Sequence, residues 1–151
     1  MTMHVMSVAR FERFFREAAS LDVDKDDLRR YDDFVHDRIY DLLVRAEGNA
    51  KANQRDVIEP QDVPITSGLQ ENIERFRHID HEIELRPILD RLATRPSLNM
   101  ALTDEAEAQL PQIAGGLSVA LAHTFKIIDP ALKNPHGAEW EQCGRVFDEL
   151  L

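Results

Sequence analysis

The most informative part of this chain is the stretch Arg55-Asp56-Val57-Ile58-Glu59-Pro60-Gln61-Asp62-Val63, in which an arginine stands seven residues before an aspartate. A long amphipathic segment over residues 25–52 precedes it, and a short apolar segment over residues 8–19 comes before that. In the long segment, apolar residues recur at the steps of three or four that mark one helix face. They are Leu28, Tyr31, Val35, Ile39, Leu42, Ala46 and Ala50. The pattern predicts a short helix, a long helix and then a loop.

Capping and proline signals divide this first half of the chain. Asp24 is followed by further acidic residues, which predicts a helix start at Lys25 with negative charge at the positive end of the helix dipole. Pro60 is typical of the first position of a new helical turn. The run Ser67-Gly68-Leu69-Gln70 has the form of a capping box. It predicts a further helix that continues to about Arg86.

The second half repeats this scheme more loosely. Residues Pro87 to Ala93 predict a short helix, and residues Asp104 to Ile128 predict a second long one. Asp104 and Glu107 have the spacing of a capping box at its start. The last predicted helix runs from Ala138 to Leu151 and has an apolar stripe of Trp140, Cys143, Val146, Phe147 and Leu150.

The two long helices align at an offset of 79 residues, at which Tyr31 falls on Leu110 and Ala46 falls on Phe125. The likeness is one of pattern and not of identity, so it is weak evidence for a repeat. Inside the second long helix stand Gly115 and Gly116. This pair predicts a place where another helix approaches closely.

Composition restricts the class of protein. The 151 residues are 43% hydrophobic and 30% charged, which is typical of a globular chain, and only 7% are aromatic, which favours helices over a strand-rich fold. The single cysteine, Cys143, excludes an intramolecular disulfide. Charged residues near the N-terminus and the lack of a membrane-length apolar run predict a cytoplasmic protein without a membrane partner.

The charge balance bears on nucleic-acid binding. The formal net charge is −10, and splitting the chain after Arg75 leaves 11 basic and 16 acidic residues before the split and 7 and 12 after it. Each part therefore has a net charge of −5. Proteins that coat nucleic acid carry a basic footprint, so this balance argues against strong non-specific DNA binding.

Residues 49–63 resemble the loop and third helix of archaeal histones, and the whole sequence resembles a family of small bacterial proteins with two histone folds in tandem. The resemblance implies an all-α fold in which the two halves form an intramolecular histone-like pseudodimer. It implies one globular domain over residues 1–151, with the first half at about 7–78 and the second at about 82–151. The two long helices would then cross as the central pair of one shared core.

The resemblance also assigns roles to residues in the first half. Arg55 and Asp62 match the ion pair that clamps the histone fold. At the offset of 79 the equivalent residues are Asn134 and Glu141, which cannot form such a clamp.

The DNA-contacting pattern of histones survives only in part. Arg13, Arg16 and Lys51 match basic DNA-contacting positions, and Arg55 lies close by in sequence. Where archaeal histones carry basic residues, this chain has Asp22, Asp56 and Glu59. Replacing all three with basic residues is therefore expected to raise DNA affinity, because each lost cation removes a phosphate contact.

One cluster has the residue types of a metal site. Glu74, His78 and His81 could share one helix face, and two histidines with a carboxylate can hold zinc or iron. A solvated, charged helix face is the more common explanation of such a pattern. His36 and His123 are interpreted as structural histidines and Cys143 as a buried apolar residue, and no nucleophile or phosphate-binding motif is present. No cofactor is expected.

Two functions of different classes are consistent with these observations. The first is a non-enzymatic histone-fold interaction or architectural module that self-associates or binds a protein partner. The charge and the lost basic positions favour it. The alternative is a nucleoid-associated DNA-binding protein with weak, salt-sensitive binding, which the resemblance favours.

Overall fold

Helices make up most of the chain in the computed structural model, which describes residues 8–79 and 100–150. The described ranges contain five α-helices and two short strands, which confirms the all-α prediction. The helices are α1 (Val8–Ala19), α2 (Lys25–Ala52), α3 (Ser67–Arg77), α4 (Asp104–Ile128) and α5 (Gly137–Leu150). Strands β1 (Val57–Ile58) and β2 (Ala101–Leu102) and a 3-10 turn (Pro60–Asp62) complete them. The short helix predicted at residues 87–93 lies outside the described residues.

Local sequence accounts for the start of the long helix α2. The Asp24 carboxylate accepts hydrogen bonds from the backbone N–H groups of Asp26 (2.9 Å) and Asp27 (3.2 Å). The Asp27 carboxylate in turn accepts from the backbone N–H of Asp24 (3.1 Å), which completes a capping box. Helices α1, α2 and α4 all begin and end at the predicted residues.

Two predicted capping residues and one predicted helix end are wrong. The side chain of Thr66, and not that of Ser67, caps α3 by accepting from the backbone N–H of Leu69. Thr103, and not Asp104, caps α4 in the same way. Helix α3 was expected to reach about Arg86 but ends at Arg77. In both cases a threonine with extended backbone stands one residue before the predicted cap, and its hydroxyl accepts a hydrogen bond from the backbone N–H three residues later.

Apolar side chains from both long helices belong to one buried cluster, together with residues of α1, α3 and α5. Aromatic rings tie these elements together. Phe15 of α1 lies 5.6 Å from Tyr31 of α2, and Phe125 of α4 lies 5.0 Å from Trp140 of α5, in both cases edge to face. The core therefore joins the segments before and after the undescribed residues 80–99.

Helices α3 and α4 pack closely against each other at Gly115 and Gly116, the pair that predicted a close helix approach. A Cβ atom added to Gly115 would lie inside the ring of Phe76, well below van der Waals distance. One added to Gly116 would lie 2.6 Å from the Ile73 side chain. Only glycine lets the two backbones approach this closely.

The loops flanking the long helices meet at both ends of the fold. At one end β1, which follows α2, pairs in parallel with β2, which precedes α4, with Val57 opposite Ala101. At the other end the loop before α2 meets the loop after α4, where the backbone N–H of Asp22 donates to the carbonyl of Lys133 (2.7 Å). Each end thus joins the start of one long helix to the end of the other. Within the described residues, no helix has the length and apolarity needed to cross a membrane.

Candidate functional site

The loop after α2 holds Arg55 against two carboxylates. The guanidinium pairs with Asp62, and its Nε lies 2.5 Å from Glu59 Oε2. The Asp62 side chain is only 3% exposed and also accepts a hydrogen bond from the backbone N–H of Glu59 (2.8 Å). Asn49 of α2 donates to the Asp62 carbonyl (2.8 Å). The network ties the loop and the 3-10 turn to the end of α2.

Charge and hydrogen bonding keep Asp62 ionised despite its burial. Burial alone would raise the pKa of this carboxyl, since it disfavours the charged form. The hydrogen bond from Arg55, the backbone N–H of Glu59 and the positive charge of Arg55 together lower the pKa below its ordinary value. The pair therefore stays charged in the folded protein at neutral pH.

The predicted DNA-contacting residues do not form one patch. Arg16 Nε lies 3.8 Å from Oδ1 of Asp22, which stands just before the start of α2. Lys51 and Arg55 lie at the opposite end of α2. A helix of 28 residues spans about 40 Å at 1.5 Å per residue. Lys51 also pairs with Glu47 (3.2 Å), so most of these cations already have a carboxylate partner.

An acidic cleft of about 420 Å³ lies where the loop before α2 meets the loop after α4. Its walls are formed by residues 22–24, 26, 27 and 30 from one side and by residues 134–137 from the other. Four of these residues are aspartates, and the basic groups among them are Arg30 and His136. The surface where these two loops meet is therefore lined mainly by acidic side chains.

Buried Asp27 connects this cleft to the core. Its Oδ1 accepts hydrogen bonds from Trp140 Nε1 (3.1 Å) and from Arg30 (3.3 Å). Burial raises the pKa of Asp27, and the nearby charge of Asp24 adds to the rise, while the bonds from the Asp24 backbone, Trp140 and Arg30 oppose it. Burial in the fold therefore disfavours the ionised form of Asp27.

The predicted metal cluster lies partly outside the described residues, because His81 is not among them. Glu74 pairs with Arg77 and accepts from Gln70 (3.2 Å), and His78 is exposed at the C-terminal end of α3. Among residues 8–79 and 100–150, no three metal-binding side chains come together.

The remaining candidates for chemistry lie in structural positions. Cys143 is fully buried, and burial, reinforced by the charge of Glu139, raises the pKa of its thiol to about 12. A thiol with this pKa is unreactive at neutral pH. His36 is also buried, with Nδ1 3.2 Å from the carboxylate of Asp37.

An apolar groove of about 390 Å³, which was not predicted from the sequence, lies between α3, α4 and α5. Leu150 was expected in the core stripe of the last helix, yet 71% of it is exposed, and Ile127 is 78% exposed. Val146 is also partly exposed. A signal was available in the sequence, because Ile127 falls outside the regular stripe of α4 that ends at Phe125 and Ile128.

Known proteins resemble the chain over nearly its whole length. Residues 11–148 match the family described as Domain of unknown function (DUF1931). An uncharacterized protein of Aquifex aeolicus (strain VF5) is 26% identical over 142 residues, which cover 94% of this chain and 82% of that protein.

Two crystal structures have the same fold. The protein ttk003001566 from Thermus thermophilus is 50% identical, with a TM-score of 0.90, and the match covers 97% of this chain and 99% of that one. Protein AQ328 from Aquifex aeolicus is 22% identical, with a TM-score of 0.81 over 100% of this chain and 99% of that one. At that identity the second likeness concerns the fold alone.

Proposed function

The chain belongs to the DUF1931 family of proteins of unknown function, and from its own geometry we propose that it is a non-enzymatic module acting through protein–protein contacts. In this proposal its architecture is two histone folds in tandem, which form an intramolecular pseudodimer. We expect the module to act in the cytoplasm.

The meeting of loops at both ends supports the tandem arrangement. A histone-type pair requires that the loop before each long helix lie beside the loop after the other. The parallel pairing of Val57 with Ala101 meets this requirement at one end. The hydrogen bond between Asp22 and Lys133 meets it at the other. The ion pair of Arg55 and Asp62 adds the clamp that the resemblance implies.

The observation that carries the functional choice is the chemistry of these paired loops. Histones hold phosphates with the backbone N–H groups and positive dipoles of helix N-termini. At the start of α2 these N–H groups already donate to the carboxylate of Asp24. At the start of α4 the Ala106 N–H donates to Thr103, and Asp104 and Glu105 follow the cap. Phosphate would meet negative charge and occupied donors at both ends.

Internal ion pairs also reduce the positive charge available to DNA. Several arginines lie within 4 Å of a carboxylate, in addition to Lys51 with Glu47. These pairs include Arg30–Asp27, Arg38–Asp148, Arg55–Asp62, Arg75–Glu71 and Arg77–Glu74. A phosphate contact by one of them would first have to displace its carboxylate, so the free energy obtained from DNA binding is small.

Weak, salt-sensitive DNA binding at the nucleoid is the second candidate. Arg13 and Arg16 lie one turn apart on the exposed side of α1. They are two exposed members of the histone-like basic pattern, and in this second proposal duplex contact begins there.

Gel-shift titrations with duplex DNA at low and at physiological salt test the choice. We expect little or no binding by the native protein at physiological salt. The double variant Asp22→Arg with Asp56→Lys should bind more tightly than the native protein. Its affinity should also fall more steeply as salt rises, because each additional neutralised phosphate adds about 0.9 to the slope of log affinity against log salt concentration. Glu59 is left unchanged because its carboxylate holds Arg55.

A matched control carries the same change of charge elsewhere. Glu74→Lys with Glu141→Lys places two cations at exposed positions of α3 and α5, and it should raise DNA affinity less than the loop variant. Tight, salt-tolerant binding by the native protein would put the DNA-binding function first. Pull-down from native lysate gives the complementary evidence, since protein partners should remain bound after nuclease treatment.

A further inference from the structure

The apolar groove between α3, α4 and α5 is open to solvent at its edges. Leu69 of α3, Leu117 of α4 and Phe147 of α5 form its buried floor. Ile127 and Leu150 stand at its edge, 78% and 71% exposed. An exposed large apolar side chain gains free energy when a partner covers it, so these two residues mark the groove as a contact surface.

A second groove, of about 270 Å³, extends this surface onto α2. It shares Thr66 and Leu150 with the first groove and is lined as well by Leu42 and Pro64. Leu150 therefore stands between two adjoining depressions. Val146, one helical turn before it, is also exposed, which extends the apolar strip along α5.

The charges around the groove differ from those of the molecule as a whole. The net charge of the chain is −10, yet the described residues that line the larger groove include Arg75 and His123 and no carboxylate. Among the described residues, Arg75 forms exposed hydrogen bonds with Glu71 and Asn72 of its own helix, a type of surface contact that is readily exchanged. An apolar segment flanked by acids would complement this lining.

The last turn of α5 has that chemistry. It presents the exposed Leu150 beside the exposed Glu149, whereas the neighbouring Asp148 is paired with Arg38. The same face of the chain therefore carries an acid-flanked apolar projection and an apolar groove with basic groups. A twofold contact needs such a surface, because the same patch of each subunit must complement itself.

From this self-complementarity, and resting on the proposed function as a protein-binding module, we infer that the groove is the contact surface of a symmetric homodimer. In this dimer, Leu150 of each copy packs into the groove of the other copy, beside Ile127. Glu149 of each copy lies against Arg75 of the other. The occupant of the groove is thus a second copy of this chain.

Sedimentation equilibrium over a range of protein concentrations tests the inference. The native chain should approach twice its 17.3 kDa mass, and Ile127→Glu and Leu150→Glu should each return it to the monomer mass with an unchanged far-UV circular dichroism spectrum. Val8→Glu is the matched control, since Val8 is exposed on α1 and lines neither groove, and this variant should remain a dimer.

A charge exchange tests the pairing directly. Glu149→Arg and Arg75→Glu should each weaken the dimer, and the double variant should recover part of the loss. A native chain that is monomeric at all concentrations, or a dimer that persists in both Ile127→Glu and Leu150→Glu, would overturn the inference.

The two proposals fail separately. A monomeric chain that still retains a nuclease-resistant protein partner overturns the homodimer and leaves the interaction module intact. Tight, salt-tolerant DNA binding overturns the proposed function whatever the oligomeric state.

Discussion

The hydroxyl of Tyr31 lies 2.7 Å from the hydroxyl of Ser118, in a buried hydrogen bond that joins the two long helices across 87 residues of sequence. Ser118 also donates to the carbonyl of Ala114, one turn earlier in α4 (2.7 Å). Because the serine proton is used there, Tyr31 is the donor in the bond between the helices. Both hydroxyls are fully buried, so neither can form a replacement hydrogen bond with water.

This geometry predicts unequal costs for the two single substitutions. Tyr31→Phe removes the donor and should lower the free energy of unfolding by about 0.5–1.5 kcal/mol. Ser118→Ala leaves the tyrosine hydroxyl buried without its acceptor and should cost about 1–3 kcal/mol. Urea unfolding followed by circular dichroism gives both values.

The double variant Tyr31→Phe with Ser118→Ala is the control for this bond. It leaves no buried hydroxyl without a partner, so its loss should be smaller than the sum of the two single losses. Strict additivity would mean that the two side chains do not interact in solution.

The Arg55–Asp62 ion pair is predicted to stabilise the fold more than a surface pair does. Asp62→Ala removes the partner of Arg55 and the acceptor for the Glu59 N–H together. The loss should exceed the about 0–1 kcal/mol typical of an exposed pair. Glu71→Ala, which breaks the exposed Arg75–Glu71 pair, is the matched control. Equal thermal melting of the Asp62→Ala variant and the native protein would rule out a clamp.

Two buried carboxylates are predicted to give opposite pH trends. The lowered pKa of Asp62 means that its stabilisation is present above the unfolded value near 3.8 and is lost as the pH falls through the folded value. The raised pKa of Asp27 means the reverse. Its ionised form costs stability above the folded pKa, and that cost disappears as the pH falls below the unfolded value.

The measurement for these trends is urea unfolding of two variants at several pH values, followed by the fluorescence of Trp140, the single tryptophan. Relative to the native protein, Asp62→Asn should be most destabilised at neutral pH and less so in acid. Asp27→Asn should improve relative to the native protein as the pH rises from acid to neutral. Parallel trends for the two variants would contradict the assigned pKa directions.

Glycine substitutions are predicted to have opposite effects according to the space around each glycine. Gly115→Ala would force a methyl group into the Phe76 ring, and overpacking of this kind costs about 1–3 kcal/mol. Gly48→Ala in α2 meets nothing within 4 Å and should stabilise by up to about 1 kcal/mol through helix propensity. Thermal melts of the two variants should shift in opposite directions. A Gly115→Ala variant as stable as the native protein would mean that α3 does not pack closely on α4.

Local patterns were sufficient for the helices themselves. The apolar period predicted α1, α2 and α4 with their observed ends, and Asp24 was correctly predicted to cap α2, because both signals act within a few residues of the chain. The contact of Arg55 with Asp62 was predicted from the resemblance to histones together with the seven-residue spacing of the two residues. Thr66 and Thr103 were overlooked as caps because several neighbouring polar residues can accept the same N–H groups, and only backbone conformation selects among them.

Long-range packing decided what the sequence left open. The repeat of apolar residues does not determine which loops lie next to each other. The pairing of Val57 with Ala101 forms only because α2 and α4 share one core. The exposure of Leu150 and Ile127 likewise depends on where neighbouring helices end. A helix pattern marks one apolar face, but the tertiary structure determines how much of that face is covered. The sequence by itself therefore determined the helices, their charge and one ion pair, whereas the groove, the acidic cleft and the bond from Tyr31 to Ser118 were decided by contacts between segments far apart in the chain.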